Sequence, residues 1–328
     1  MSDKEEYADK VRPGLKAYDL EMLHRFVDPA NNQGWVFGLP PGIKPEQWPL
    51  DPISGYPLMH GFTLLLPEDY RVHGPEIAAL SFFATAFDQN DGGAQKRDDL
   101  YAAVVGAPAE GTESAELRAF RDHAAAAHPR LHRMRDILDY EYAVILLTKE
   151  EFNGAPCQPP AFAANPYLDE TTRPRWMVEG SGHACFWGTG GYGKDGMPAI
   201  EGYIHKILGD VPEKRLDWHR AILCTPRAND PNAGIPPKDV YGDPEPGGYQ
   251  PFYYFEGGKT DAEHYREHDW AKNHKRDHIG GTMRPTQATP EFSPFYIEFD
   301  EHFGGYNFGA DGNAQLDFLQ MRFDWACG

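Results

Sequence analysis

Cysteine is scarce in this chain, and the cysteines stand far apart. The 328 residues contain four of them, and no two form a C-x2-C pair. Such spacing is typical neither of a disulfide framework nor of a zinc site. We therefore expect neither at Cys157, Cys185, Cys224 and Cys327.

Long apolar runs are also missing. No run reaches 18 apolar residues, so the sequence predicts no membrane-spanning helix. Residues 1–6 are mostly polar or charged, and no apolar segment of the signal-peptide kind follows them. The sequence therefore predicts a cytoplasmic protein that does not bind a membrane.

Basic residues are few compared with acidic ones. The chain has 31 Lys and Arg against 50 Asp and Glu, a net charge of −19. Such a charge repels phosphate backbones, so we expect no direct binding of nucleic acid. Two interpretations of the excess remain open: it keeps the protein in solution, or it steers a basic protein partner towards the surface.

Apolar residues are abundant enough for a core. They make up 41% of the chain, while 29 prolines, 34 glycines and a mean hydropathy of −0.61 indicate much loop. No stretch reads as a clear linker between domains. We therefore expect a single compact α+β domain over 1–328, as a monomer or weak dimer, with an N-terminal helix in 1–30 packing onto it.

A short aromatic pattern occurs twice, near each end of the chain. In each copy a proline precedes a phenylalanine by five positions, and an L-x-F strand follows at nearly equal distance. Two copies predict a pseudo-symmetric pair of β units, although chance similarity is the competing interpretation. The matching residues are Pro57, Phe62, Leu80 and Phe82 in the first copy and Pro294, Phe299, Leu316 and Phe318 in the second.

The fold that we predict is α+β, with mainly antiparallel sheets in two pseudo-repeated β units, about 31–88 and 279–328, and helices inserted between them. Apolar periodicity and the positions of Gly and Pro delimit the elements. The predicted helices are 14–27, 95–105, 112–140 with a break at Pro129, 200–208 and 261–277. The predicted strands outside the repeat are 142–148, 176–178, 184–187, 219–225 and 252–256.

The repeated motifs resemble those of the YwqG-like family (domain of unknown function 1963). The first copy carries the family's GLP turn at 38–40, its WP at 48–49 and its L-x-F-F strand at 80–83. The second copy resembles the family's GG … WGDxG … L-x-F ending. It departs from that ending at Phe308, where the family has tryptophan, and at Ala310, which is inserted before Asp311. The family's usual strand glutamine is also replaced, around His60 and Ile297.

The resemblance implies a binding role, because members of this family occur as immunity proteins that neutralise bacterial toxins and no catalytic residues are established for it. The chain's own candidate contact surface is the loop 300–311. Aromatic side chains anchor interfaces, and carboxylates select a basic partner. The competing interpretation is that the aromatic rings of this loop pack into the core. The predicted partner-binding residues are Asp300, Glu301, Phe303, Tyr306, Phe308 and Asp311.

A glycine-rich loop at 188–195 is the strongest alternative. It matches both G-x-G-x-x-G and the first part of a phosphate-binding loop. Asp195, however, occupies the position where that loop needs Ser or Thr, because the hydroxyl ligates Mg²⁺. A plain glycine loop is the simpler interpretation.

Histidines and a cysteine offer weaker signals of chemistry. His264 and His268, like His274 and His278, are four apart, and on a helix each pair could bind zinc. His183 and Cys185 could form a nucleophilic pair, although no third group that would orient them is evident, and Ser181 does not lie in a G-x-S-x-G elbow. A solvated helix face and an ordinary strand explain these residues equally well.

The sequence thus favours a non-enzymatic cytoplasmic immunity protein that blocks a basic toxin, such as a nuclease, by occlusion. We predict no catalytic residues, no cofactor and no metal. The alternative is a nucleotide- or metal-binding enzyme that uses the 188–195 loop or the 264–278 histidines.

Overall fold

The computed structural model describes residues 10–23, 32–89, 96–108, 114–162, 165–180, 216–240, 246–259, 261–309 and 312–328. In this part of the chain, strands dominate and every strand pairing is antiparallel. This confirms the predicted α+β class with mainly antiparallel sheet. The strands are β1 (Tyr18–Met22), β2 (Gly34–Phe37), β3 (Met59–Leu65), β4 (Ile77–Ala84), β5 (Leu131–Arg135), β6 (Glu141–Thr148), β7 (His219–Pro226), β8 (Tyr253–Phe255), β9 (Tyr265–Glu267), β10 (His278–Ile279), β11 (Tyr296–Asp300), β12 (Asn313–Asp317) and β13 (Arg322–Ala326).

Four α-helices are short and peripheral in the described ranges. They are α1 (Asp98–Val104), α2 (Ala115–Ala125), α3 (Lys149–Phe152) and α4 (Arg175–Glu179). Leu117 and Phe120 of α2 and Leu100 of α1 form a small core of their own. Among these described helices, none has both the length and the apolar character needed to cross a membrane.

The large sheet has eleven strands in the order β13-β12-β11-β10-β1-β7-β2-β3-β4-β6-β5. The two predicted β units are its two arms, β2-β3-β4 and β10-β11-β12-β13, on either side of the central β1–β7 pair. In each arm a glycine with positive φ follows the first strand, Gly38 (+66°) after β2 and Gly280 (+58°) after β10. A side chain is strained at such φ, which explains glycine at both positions.

The arms match in strand order but not in the register that the motif comparison implies. Phe62 lies opposite Phe82 in the first arm, whereas Phe299 lies opposite Ala314 in the second. Phe318, the expected counterpart of Phe82, follows β12 and lies outside the strand. The two arms therefore share a strand topology, but the matched phenylalanines of the sequence motif do not occupy equivalent positions in them.

The arms pack on each other through aromatic rings, which makes one continuous core. Phe299 of one arm contacts Phe62 and Phe82 of the other, with ring centres 5.3 Å apart in both cases. Phe323 stacks on Tyr142 at 4.0 Å. β4 is buried along its whole length and β6 along nearly all of it, which accounts for their continuous apolar sequences.

The strand pair β8–β9 stands apart from the large sheet. It is a separate two-stranded sheet in which Tyr253 lies opposite Glu267, Tyr254 opposite Arg266 and Phe255 opposite Tyr265. Because successive side chains of a strand point to opposite faces, Tyr253, Phe255 and Tyr265 share one face.

Several predicted elements are confirmed and others are wrong. The helix 95–105 and the strands 142–148, 219–225 and 252–256 correspond to α1, β6, β7 and β8. The predicted N-terminal helix 14–27 is wrong, because residues 18–22 form β1 between β7 and β10, and residues 24–31 lie outside the described ranges. The elements predicted at 184–187 and 200–208 also lie outside the described residues.

Three further predictions are corrected. The helix predicted to continue after Pro129 is β5, which pairs with β6. The strand predicted at 176–178 is part of α4, where Trp176 stacks on Trp48 with ring centres 6.0 Å apart. The helix predicted at 261–277 is instead a 3-10 turn, Ala262–His264, followed by β9 and turns. In each case contacts with distant residues override the local preference.

Candidate functional site

The aromatic residues predicted to contact a partner lie in the core. Phe303 and Tyr306 are 1% exposed and Phe308 is fully buried. Their rings pack around Phe299, between the two arms of the sheet. They present no surface to a partner in this structure, which corrects the expectation that they form an exposed interface.

The acidic residues of the same loop have different positions. Asp300 and Glu301 are half-buried, and Asp311 lies outside the described residues. Asp300 Oδ1 accepts hydrogen bonds from the backbone N–H groups of His302 (2.9 Å) and Phe303 (3.2 Å), so Asp300 holds the turn at the end of β11. Asp300 lines a cleft between the strand pair β8–β9 and the second arm.

This cleft has a volume of about 300 Å³ and lies between the strand pair β8–β9 and the second arm of the large sheet. Residues from seven separate stretches of the chain, between Tyr253 and Gly328, meet there within one small space. Its lining includes Tyr253, Tyr265, Arg276, Arg284, Asp300 and Asn313.

Arg284 is held in a fixed position at the cleft wall. Its Nε and Nη2 atoms donate to the hydroxyl oxygen of Tyr253 at 3.1 and 2.7 Å. Its guanidinium also lies over the ring of Phe252, 4.5 Å from the ring centre. A planar guanidinium held by stacking and by paired hydrogen bonds keeps little conformational freedom to lose when it binds a ligand.

A buried carboxylate anchors the backbone of the same wall. Glu298 Oε2 accepts from the Arg284 N–H and from His278 Nε2, both at 2.7 Å. Glu298 Oε1 accepts from Asn313 Nδ2 at 2.7 Å and from Gln315 Nε2 at 3.0 Å. Four hydrogen-bond partners surround this carboxyl group, so it fixes the positions of Arg284 and Asn313 at the cleft wall.

His278 is a buried hydrogen-bond partner of that carboxyl group. Its Nε2 lies 2.7 Å from Glu298, and its Nδ1 lies 2.8 Å from the carbonyl oxygen of Gly280. Both ring nitrogens therefore have a polar partner in this buried network. The pair is 1% exposed at each side chain.

A second carboxyl group adjoins Asp300. The backbone N–H of Asp300 donates to Asp277 Oδ1 at 2.9 Å. Burial, followed by the nearby Asp300 carboxylate, raises the pKa of Asp277 well above its usual value. Asp277 therefore retains its proton at pH values where an exposed aspartate has lost it.

Exposed aromatic rings border the cleft on the strand pair. Tyr254 is 40% exposed, Phe255 43% and Tyr265 47%. On the face that bears Tyr254, four rings follow one another: Tyr254 to His268 at 4.6 Å, His268 to Trp270 at 5.0 Å and Trp270 to His274 at 5.6 Å. Both faces of this small sheet are thus aromatic.

The histidine pairs do not lie on a helix, which the predicted zinc site would require. His264 and His268 flank β9, and His278 lies in β10 paired with Glu298. Within the described ranges no group of three or more His, Cys, Asp or Glu side chains is arranged to hold a metal ion. His183, Cys185, Ser181 and the 188–195 loop lie outside those ranges.

Cys157 and Cys224 are held as thiols by burial. Burial raises the pKa of Cys157 to about 11 and that of Cys224 to about 12. Since the thiolate is the nucleophile, neither is activated at neutral pH. His60 is likewise neutral, because burial lowers its pKa to about 3.

A larger cleft of about 670 Å³ lies beside the Pro-rich segment 158–168. Tyr56, Phe162 and Met177 contribute to its wall. Its charged residues, Arg173 and Glu170, are paired with each other at 3.1 Å. The smaller cleft has arginines without such partners and is the better candidate site.

Sequence reasoning missed Tyr253, Arg276 and Arg284. The aromatic run at 252–255 and the tyrosine at 265 are the signals that could have indicated an exposed strand pair. No local pattern brings the two arginines together, because only the packing of β8–β9 against the second arm does so.

The chain has no significant match among the models of known protein families, among curated proteins or among solved structures. The resemblance to the YwqG-like family therefore stays a prediction that rests on the motifs quoted above.

Proposed function

We propose that this protein is a binding protein whose partner is another protein, docked on the strand pair β8–β9. The observation that supports this most is the exposure of Phe255 and Tyr265 together on one face of the small sheet, with ring centres 5.4 Å apart, and of Tyr254 on its other face. Aromatic side chains bury large areas with few rotatable bonds, and they are enriched where proteins associate. Contiguous exposed rings of this kind mark interaction surfaces more often than scattered ones do.

The partner that fits the whole molecule is basic. The net charge of −19 accelerates encounter with a positively charged protein and disfavours acidic ones. The finer proposal is an immunity protein that acts in the cytoplasm and neutralises a basic toxin by covering its active surface. The motif resemblance to the YwqG-like family supports this finer proposal.

The test uses the product of the gene adjacent to this one as the candidate toxin. We expect the wild-type protein to restore growth when both are expressed, and to form a stoichiometric complex that weakens as salt is raised. Replacing one exposed ring on each face of the strand pair, Tyr254→Ala with Phe255→Ala, should weaken binding about tenfold or more whichever face the partner covers, because such anchors carry much of the binding energy.

The matched control replaces two exposed apolar residues elsewhere. Ile137 (92% exposed) and Leu138 (57%) lie on the turn between β5 and β6. Ile137→Ala with Leu138→Ala should leave growth rescue and affinity unchanged. A toxic neighbour that is neither bound nor neutralised would remove the immunity proposal, and equal affinity of the two double variants would remove the strand pair as the docking surface.

A further inference from the structure

Two arginines in the cleft have no carboxylate partner within the part of the chain that the structure describes. Some other arginines of this acidic protein form ion pairs, such as Arg133 with Glu141 at 2.9 Å and Arg227 with Asp230 at 3.2 Å. Arg284, by contrast, donates only to the neutral hydroxyl of Tyr253 and lies over rings, and Arg276 is exposed with no described ion pair. Two guanidinium groups thus line one small cleft of a protein whose net charge is −19.

We propose that this cleft binds a small ligand that carries a compact oxyanion, a carboxylate or phosphate group, and a hydrogen-bond donor beside it. Guanidinium groups match the planar oxygens of carboxylate and phosphate better than any other side chain. The Nη1 group of Arg284 makes no hydrogen bond within the described residues and remains available for such an oxygen. This inference concerns a small ligand and does not depend on the protein partner proposed above.

Asp300 supplies the complementary acceptor. Its Oδ1 is occupied by two backbone N–H groups, and its Oδ2 has no hydrogen bond in the described part of the chain. A hydroxyl or ammonium group of the ligand could donate to Oδ2. The ligand is therefore either a hydroxy acid or amino acid, if the oxyanion is a carboxylate, or a small hydroxylated phosphate.

The charge balance of the cleft favours an anion. Two guanidinium groups line the cleft, those of Arg276 and Arg284, beside the side chain of Asp300. Burial and the neighbouring Asp300 raise the pKa of Asp277, the next residue after Arg276. Because Asp277 keeps its proton to a higher pH than usual, less negative charge lies near the two arginines.

The size and walls of the cleft limit the ligand. A volume of about 300 Å³ is at the lower end of small-molecule sites. Tyr253 and Tyr265, stacked with ring centres 4.5 Å apart, form one apolar side. The Glu298 anchor fixes the opposite wall through the Arg284 backbone, so the site is largely preorganised.

The experiment titrates the purified full-length protein with inorganic phosphate and, separately, with L-lactate, at constant ionic strength. Calorimetry gives the affinity, and the Nε–Hε NMR signal of Arg284, assigned by its loss in Arg284→Gln, reports the site. We expect a saturable shift of that signal with at least one probe. A response to phosphate alone identifies a phosphate ligand, and a response to lactate identifies a carboxylate.

Variants separate this cleft from general attraction of anions. Arg276→Gln removes an exposed side chain that has no described hydrogen bond or ion pair, so the fold should survive, and the affinity should fall about tenfold. The control is Arg118→Gln, which removes another exposed arginine, on α2, and should bind as wild type. The proposal is overturned if neither probe shifts the Arg284 signal, or if Arg276→Gln and Arg118→Gln bind the probes equally.

Discussion

At the residue scale, two neighbouring carboxyl groups near the cleft have different surroundings. Asp300 is oriented by backbone N–H groups, whereas Asp277 is half-buried beside it and has a pKa that is raised, first by desolvation and then by Asp300. An aspartate whose pKa is higher in the folded than in the unfolded state takes up a proton on folding. Its contribution to stability is fully present below the unfolded pKa and is lost as the pH rises through the folded pKa.

Asp277→Asn should therefore change how stability depends on pH. The asparagine oxygen can still accept the Asp300 N–H, but it never becomes charged. Relative to wild type, the variant should be more stable at pH 8 than at pH 4, since only wild type must bury a second negative charge at high pH. Urea denaturation at the two pH values measures this.

The control for that prediction is Asp269→Asn. Asp269 is exposed, and its hydrogen bond and charge interaction with Lys272 lower its pKa. The direction of this shift is opposite to that of Asp277. It should show no gain in stability at pH 8. If the stability of Asp277→Asn relative to wild type is the same at both pH values, Asp277 does not titrate as described.

At the scale of the element, the loop 301–309 is part of the core rather than a surface. Its rings fill the space between the two arms, and Tyr306 approaches β3 so closely that a Cβ on Gly61 would lie 1.8 Å from its hydroxyl oxygen. That hydroxyl group is buried and has no hydrogen-bond partner in the described structure. Tyr306 therefore contributes its ring to the packing and gains nothing from its oxygen.

Tyr306→Phe should leave the free energy of unfolding unchanged or raise it by about 1 kcal/mol, because it removes a desolvated polar group that makes no hydrogen bond. It should also leave partner binding intact, unlike the substitutions on β8. Urea denaturation and the capture assay measure the two effects.

Tyr70→Phe is the matched control. Tyr70 is equally buried, but its hydroxyl group donates to the Lys16 carbonyl oxygen at 2.7 Å. Its loss should cost about 1–2 kcal/mol, because the carbonyl oxygen loses its partner. A comparable loss for Tyr306→Phe would show that the Tyr306 hydroxyl group has a partner after all.

At the scale of the whole molecule, the two ends of the large sheet meet. Trp325 of β13 donates its Nε1–H to Asp136, which follows β5, at 2.7 Å. The same Oδ2 atom accepts from the Tyr142 hydroxyl at 3.0 Å. Asp136 Oδ1 accepts the N–H groups of Leu138 and Tyr140, so one carboxylate connects the first and last strands of the sheet.

Asp136→Asn should destabilise the protein by about 2–3 kcal/mol, because an amide of the same size offers one acceptor oxygen to four donors. Hydrogen exchange should also accelerate in β13 and β5 before the central strands. Urea denaturation and exchange measurements test the two expectations.

Asp139→Asn, in the same turn, is the control. Asp139 is exposed and makes only a 3.4 Å pair with Arg135, and asparagine accepts its positive φ of 65°. It should change stability little. Equal effects of the two substitutions would show that the Asp136 link does not hold the sheet ends together.

The sequence by itself determined the elements whose burial is local and continuous. The strand 142–148, the helix 95–105 and the two β units were predictable because their apolar residues follow the period of their own element. The exposed aromatic run at 252–255 also formed a strand as predicted. In each case the short-range pattern and the final environment agree.

Only the tertiary structure decided the remainder. β1 and β5 carry sequences that favour helix, and they became strands because β7, β10 and β6 supply hydrogen-bond partners from distant parts of the chain. The rings of Phe303, Tyr306 and Phe308 are buried because they pack around Phe299 between the two arms. The cleft arises in the same way, since Tyr253, Arg284 and Asp300 become neighbours only when β8–β9 packs against the second arm, a long-range contact that no local period records.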